Sequence, residues 1–221
     1  MRTQGDWIKE YEEHKAFWLH DGKKERPHAL LTGGNHSNGF FFSKPVVSDE
    51  GLLREISYSL VGLWVSSGGP IARVDKVVGP QTGATKLAES IAYEITILRG
   101  RRCFWASPRK EGDGADKKMV FESCAISAGE TILLCEDVLT TGSSVELTSA
   151  AVMALGGGVM PYVLAIVNRS GIQKVGIKSI LTLVDTYMLV WSPDECPLCQ
   201  NGSEAIRPKE GDNWDRLNAD Y

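Results

Sequence analysis

Residues Thr131 to Ala154, TILLCEDVLTTGSSVELTSAAVMA, constrain this chain more than any other stretch. An apolar β-like run, Thr131–Cys135, is followed at once by two carboxylates, Glu136 and Asp137. Val138, Leu139, Thr140, Thr141, Gly142, Ser143 and Ser144 then make a short hydroxyl-rich loop, after which the spacing turns helical. A strand, a polar loop and a helix form a cup at the carboxyl end of a strand, the usual ligand position in an open α/β sheet. The helix start offers free N–H groups and a dipole that favours an anion, and Gly142 lets the backbone come close to it. An ordinary helix cap explains Ser143. It does not explain two adjacent carboxylates at the end of a buried strand, where unpaired charge is costly. Ribose hydroxyls or a magnesium shell would account for them.

A second cup is predicted upstream. Lys76-Val77-Val78 begins a strand, Gly79 to Thr85 (GPQTGAT) turns, and a helix runs over Lys86–Ile95. The loop has no Gly-Lys-Ser/Thr at Walker spacing and no GxGxxG, but its glycines suit a pyrophosphate held by backbone N–H groups. Elsewhere the spacing predicts a helix over residues 4–20, two short strands around a turn over 27–47, and a helix from a Ser48 cap to about Val65. Strands are expected at Arg102–Ala106, Tyr162–Val167 and Ile180–Val184. Residues 107–121 are polar and without period, and the tail from Ser192 reads as irregular. Strands alternating with helices mean a mostly parallel sheet.

The 221 residues and 43% hydrophobic content support a full core, and a net charge of −4 gives no basic field for nucleic acid. No apolar run reaches membrane-span length, and the N-terminal residues lack the apolar core of a signal peptide, so a cytoplasmic enzyme is expected. Five cysteines argue for reduced thiols. The four histidines, His14, His20, His28 and His36, fit no metal-finger spacing, and Cys196-Pro197-Leu198-Cys199 is a lone CxxC with no further ligands near it. It reads as a structural turn with two thiols.

The string EDVLTTGSS resembles the 5-phosphoribosyl-1-pyrophosphate (PRPP) motif of type I phosphoribosyltransferases, and GPQTGATKLA is similar to the pyrophosphate loop of the orotate phosphoribosyltransferases among them. LLTGGNHSNGFFF, residues 30–42, resembles their N-terminal hood signature, Arg109-Lys110-Glu111 the start of their mobile lid, and CPLC a segment that some members carry near the C-terminus. The resemblance runs from about Pro27 to Pro208. It implies an α/β type I phosphoribosyltransferase fold, a mostly parallel sheet flanked by helices with a small N-terminal hood. The expected division is 1–47 as hood and helix, 48–191 as core and 192–221 as extension. The implied reaction joins PRPP and orotate into orotidine 5′-monophosphate and pyrophosphate, with Mg2+ held through PRPP and water and no metal bound directly by the protein.

Carried over residue by residue, the resemblance gives Asp137 and Lys110 catalytic roles. It assigns PRPP to Arg109, Lys110, Glu136, Asp137, Val138, Leu139, Thr140, Thr141, Gly142, Ser143, Ser144, Gln81, Thr82 and Gly83, and orotate to Thr140, Arg169 and Phe41. It also implies a homodimer whose lid reaches the partner's site. Three positions depart from the pattern. Thr32 stands where many members have a lysine, Asp113 where the second lid lysine falls, and Ala115 where a histidine falls; Lys117 and Lys118 follow later. The departures keep two other readings open: transfer to another base, or a non-catalytic PRPP-binding regulator on the same fold.

Overall fold

Alternation of large apolar side chains along Thr131–Leu139 sets the architecture. In the computed structural model Leu133 and Cys135 face one hydrophobic cluster, while Ile132 and Leu134 face another. A strand buried on both faces belongs inside a parallel sheet covered by helices on each side. The structure describes residues 2–221 except Asp113 and Cys124, and for Ala115 the backbone alone.

In chain order the elements are α1 (Gln4–Glu13), β1 (Phe17–Leu19), β2 (His28–Leu30), β3 (His36–Ser37), β4 (Gly39–Phe41), α2 (Ser43–Ser48) and α3 (Glu50–Ser66). Then come β5 (Lys76–Val78), α4 (Thr85–Arg99), β6 (Phe104–Ala106), β7 (Arg109–Glu111), β8 (Lys118–Val120), β9 (Thr131–Leu139) and α5 (Ser143–Ala154). The chain closes with β10 (Gly158–Asn168), β11 (Lys174–Val175), β12 (Lys178–Asp185), β13 (Val190–Trp191), α6 (Pro197–Gln200), β14 (Ala205–Ile206) and α7 (Asn213–Asn218).

The main sheet has the order β11-β12-β10-β9-β5-β6 and is parallel except for the edge strand β11. One face is covered by α1, α3 and α4, whose Tyr11, Ile56, Leu60, Trp64, Leu87 and Ile91 are fully buried. The other face is covered by α5 through Val145 and Val152. A four-stranded hood sheet, β13-β3-β2-β14, takes two strands from the N-terminal region and two from the C-terminal region.

Five local expectations change. The helix over residues 4–20 stops at Glu13, because Lys15 adopts φ +49 and Phe17–Leu19 leave to pair with β4. The helix expected from a Ser48 cap starts at Glu50, with Asp49 accepting from Leu52 N at 2.9 Å, and Ser43–Ser48 form a separate short helix. The central strand runs on to Leu139, paired with β10 throughout the acidic pair. Residues 107–121 hold a hairpin: β7 pairs with β8, Lys110 opposite Met119, where a charged, aperiodic sequence gave no strand signal. The tail also contributes a strand and two short helices to the structure.

Candidate active site

The site lies at the carboxyl ends of β9 and β10, under the hood. Register pairs Leu139 with Asn168, and Arg169 N donates to Leu139 O at 3.0 Å. Thr140 and Arg169 therefore leave adjacent strands side by side. A cleft of about 940 Å3 opens there, lined by Glu136, Asp137, Thr140, Thr141, Ser143 and Ser144 from the cup, Arg169 and Tyr187 beside it, and Lys110 and Lys117 from the lid hairpin. The hood supplies Leu31, Thr32, Gly33, Asn35, Phe40 and Phe41.

The loop is shaped for an anion. Gly142, not Ser143, is the N-cap of α5, at φ +82, and a Cβ built there would lie 2.7 Å from Val175 Cγ2. Only glycine meets both conditions. Thr141 Oγ1 donates to Ser143 Oγ at 3.2 Å, which ties the loop to itself. The N–H groups of Ser144 and Val145 find no acceptor among the described residues, as expected for the first turn of a helix that faces a ligand. Lys110 Nζ stands 3.3 Å from Ser144 Oγ at the mouth of the cup.

The two carboxylates differ. Glu136 is buried, and desolvation, followed by the neighbouring Asp137, pushes its pKa well above the ordinary range. The shift is toward the neutral form of the carboxyl. Asp137 is half-buried and abuts the second loop: a Cβ added at Gly83 would collide with the Asp137 carboxylate. This close approach joins the pyrophosphate-type loop to the acidic pair. Gln81 and Thr82 belong to that loop, exposed on its outer side, and do not line the cleft. Gly79 is equally constrained, since a Cβ there would lie 2.5 Å from Ala84 O and 2.8 Å from Cys135 Sγ.

Arg169 is 2% exposed. Its guanidinium donates to Gly39 O at 2.9 Å and to Ser37 Oγ, and no carboxylate among the described residues pairs with it. Burial lowers its pKa to about 10, still charged at neutral pH. A buried cation that lines a cleft and has no acidic partner among the described residues suits an anionic ligand.

Some expected residues are placed differently. Phe41 is 3% exposed and belongs to the core, with Tyr11 and Phe17 rings at 5.1 and 4.9 Å; it forms the cleft floor and presents no free face. Phe40 is the half-buried aromatic in the cleft wall. Arg109 is turned back onto Glu111 at 2.6 Å and does not line the cleft, nor does Lys118. Asp113 lies outside the described residues, as does the side chain of Ala115. Lys209 and Tyr187 line the cleft unannounced by the sequence. Lys209 sits 5.9 Å over both Phe40 and Phe42, brought there by the tail, and only its place after Arg207-Pro208 hints at a turn.

No family model matches the chain. Over 82% of its length it is 32% identical to an orotate phosphoribosyltransferase of Heliobacterium modesticaldum, covering 88% of that protein, and 33% identical to one of Caldicellulosiruptor saccharolyticus, covering 87%. The fold is similar to crystal structures of orotate phosphoribosyltransferase from Aeropyrum pernix (TM-score 0.61, 19% identity, 80% of this chain and 92% of that one) and of adenine phosphoribosyltransferase from Saccharomyces cerevisiae (TM-score 0.57, 17% identity, 81% and 99%). At that structural likeness the base differs between neighbours and only the fold is shared; the sequence relatives decide the rest. The chain belongs to the orotate phosphoribosyltransferase family.

Proposed function

We propose that this protein transfers the 5-phosphoribosyl group of PRPP to orotate, giving orotidine 5′-monophosphate and pyrophosphate. The observation that carries the base assignment is Arg169, a buried guanidinium beside Thr140 with no acidic partner among the described residues. The orotate carboxylate supplies the missing counter-ion, while Thr140 donates from the adjacent strand end. Adenine has no carboxylate and would leave the arginine buried and unpaired.

The remaining roles follow from position. The Thr140–Ser144 loop and the start of α5 hold the 5′-phosphate. Glu136 and Asp137 take the ribose hydroxyls. The loop of Gln81, Thr82 and Gly83 takes pyrophosphate by turning toward the cleft, joined by Lys110 and Lys117 of the lid hairpin and by Arg109 once it releases Glu111. The bond from ribose C1 to the pyrophosphate oxygen breaks and the pair of electrons leaves with pyrophosphate, while the orotate ring nitrogen bonds to C1 and gives up its proton to the departing pyrophosphate or to water. Positive charge on the ribose and negative charge on the leaving group grow together, so fixed charges placed before the reaction do most of the work. Closing the β7–β8 hairpin excludes water.

Mg2+ fits this site. The oxygen donors that line the cleft, Glu136 and Asp137 foremost, suit a hard cation, and most of its coordination shell would come from PRPP oxygens and water. When bound it would neutralise pyrophosphate charge. The reading also includes a cytoplasmic location and a homodimer, with the exposed apolar side chains Tyr93, Ile97, Phe104 and Trp105 of α4 and β6 as candidate contact surface.

The test is orotate absorbance followed with protein, PRPP and Mg2+ against a control lacking PRPP. PRPP-dependent loss is expected. No loss, with PRPP binding intact by calorimetry, would replace this reading with another base or a regulator.

A further inference from the structure

Away from the cleft, four ligand-type side chains from distant parts of the chain meet in one hollow. His28 and His36 come from the β2–β3 hairpin, Cys196 and Cys199 from the CPLC turn that opens α6. Their nearest ligand atoms all lie within 4.8 Å of one another. His28 Nε2 is 3.0 Å from His36 Nδ1, 3.5 Å from Cys196 Sγ and 3.5 Å from Cys199 Sγ, and Cys199 Sγ is 3.2 Å from His36 Nδ1. With Zn–N near 2.05 Å and Zn–S near 2.3 Å, a tetrahedral Cys2His2 shell has edges of about 3.3 Å between nitrogens and about 3.5 Å from nitrogen to sulfur. The separations from His28 to the other three atoms and from His36 to Cys199 stand close to those figures, and the whole set lies within 4.8 Å. His28, His36 and Cys196 are buried, so their donor atoms are turned to each other and away from water.

The surroundings are those of a ligand set. Ser203 Oγ donates to Arg26 O at 2.6 Å, which commits its only proton. Ser203 must then accept from His28 Nδ1–H at 2.9 Å, which leaves the His28 Nε2 lone pair facing the hollow. A second hydrogen bond that fixes the ring and its tautomer is the usual support of a zinc-binding histidine. The two thiols are not joined to each other, and the mixed sulfur and nitrogen donors select zinc over the oxygen-seeking Mg2+ of the cleft. The sequence separations of 8 and 3 residues within each pair, and 160 residues between them, match no finger pattern, which is why the pairing is invisible in one dimension.

We infer that His28, His36, Cys196 and Cys199 form a structural Zn2+ site that fastens the hood hairpin to the C-terminal segment. All four positions around the metal are filled by protein, so the site is closed and has no catalytic place for water. Its effect reaches the cleft through one residue. Ser37 follows His36, donates to Leu189 O at 2.7 Å and accepts from the Arg169 guanidinium. The metal thus holds the strand that holds the base-site arginine. Only this last link rests on the orotate reading; the metal count does not.

The test begins with metal analysis of the full-length protein purified under reducing conditions without a histidine tag. One zinc per chain is expected for the unaltered protein and for Cys103→Ser, whose thiol lies elsewhere, and none for Cys199→Ser or His36→Ala. Exchange with Co2+ should give the d–d bands of a tetrahedral site and a thiolate charge-transfer band. Chelation should lower the Tm by about 10 °C or more, restored by Zn2+. It should also raise the orotate KM more than the PRPP KM. Should the altered proteins fail to fold, metal content and the cobalt spectrum of the unaltered chain still decide. A chain that is purified without zinc and takes up none on titration would overturn the site. So would zinc retained in Cys199→Ser, or a Cys196–Cys199 disulfide in the purified protein. If zinc binds as expected but orotate turnover is absent, the orotate reading fails and the metal site stands.

Discussion

Arg169 does two jobs through one guanidinium: it bridges to the hood at Gly39 and Ser37, and it faces the cleft as an unneutralised charge. Arg169→Ala should therefore raise the orotate KM by about 10- to 100-fold, the range of one charge-assisted hydrogen-bonded pair, with PRPP affinity changed by less than threefold. Calorimetric titration of each ligand separates the two effects, and equal losses for both would place the arginine in the scaffold alone. Glu136 yields a prediction about pH. Its folded pKa lies above its unfolded value, so the stability it contributes is present in full below the ordinary carboxylate range and is lost as pH rises through the folded pKa. Glu136→Gln removes that loss. The ligand-free variant should melt a few degrees above the parent at neutral pH, at about 2–4 °C per kcal/mol for a chain of this size, with the difference vanishing in acid. Turnover should fall because a ribose contact is altered. A Tm for Glu136→Gln below that of the parent at every pH would show that the carboxyl is held in its charged form.

At the scale of elements, two loops and one strand make a single device. The loop before α4 and the strand β9 touch where Gly83 meets the Asp137 carboxylate, and the loop before α5 turns at Gly142 against Val175. Gly83→Ala forces the carboxylate aside. It should reduce kcat/KM for PRPP by about 100-fold, comparable to a misplacement of about 1 Å at a reacting centre, while circular dichroism stays unchanged. Asp137→Asn should match it in turnover and leave the loop in place. If Gly83→Ala retained full activity, the pyrophosphate loop would not depend on the acidic pair. The lid is an element of another kind. Few buried side chains hold β7 and β8, Met119 being the main one, so the hairpin belongs to the low-stability end of the molecule.

For the whole molecule, the two ends of the chain are structurally one region. Trp18 Nε1 donates to Leu217 O at 2.7 Å and Trp214 Nε1 to Lys15 O at 2.8 Å, while β14 pairs with β2 within the hood sheet. Leu217 is fully buried against Trp18, Ala29 and Ile206. Leu217→Ala should cost about 2–5 kcal/mol, a fall in Tm of roughly 5–15 °C. It should also loosen orotate binding before PRPP binding, because the hood covers the base end of the cleft. Differential scanning calorimetry with and without each ligand reads both effects; an unchanged Tm would mean that the tail is not part of the folded unit.

Two kinds of feature were legible in the amino-acid sequence alone. The strand–carboxylate–glycine–helix order of residues 131–154 dictates its own cup, because consecutive residues and short-range geometry build it. The buried alternation of β9 requires a covered parallel sheet for the same reason. Arg169 and Thr140 were paired by the family resemblance, and the parallel register of β9 and β10 ends both at the same edge. The lid hairpin, Phe41 as floor and Lys209 as wall depended on long-range packing that no periodicity carries. The meeting of His28 and His36 with Cys196 and Cys199 is the clearest case. A ligand set assembled across 160 residues has no local spacing to announce it, and it exists only once β14 has joined β2 and brought the two ends of the chain together.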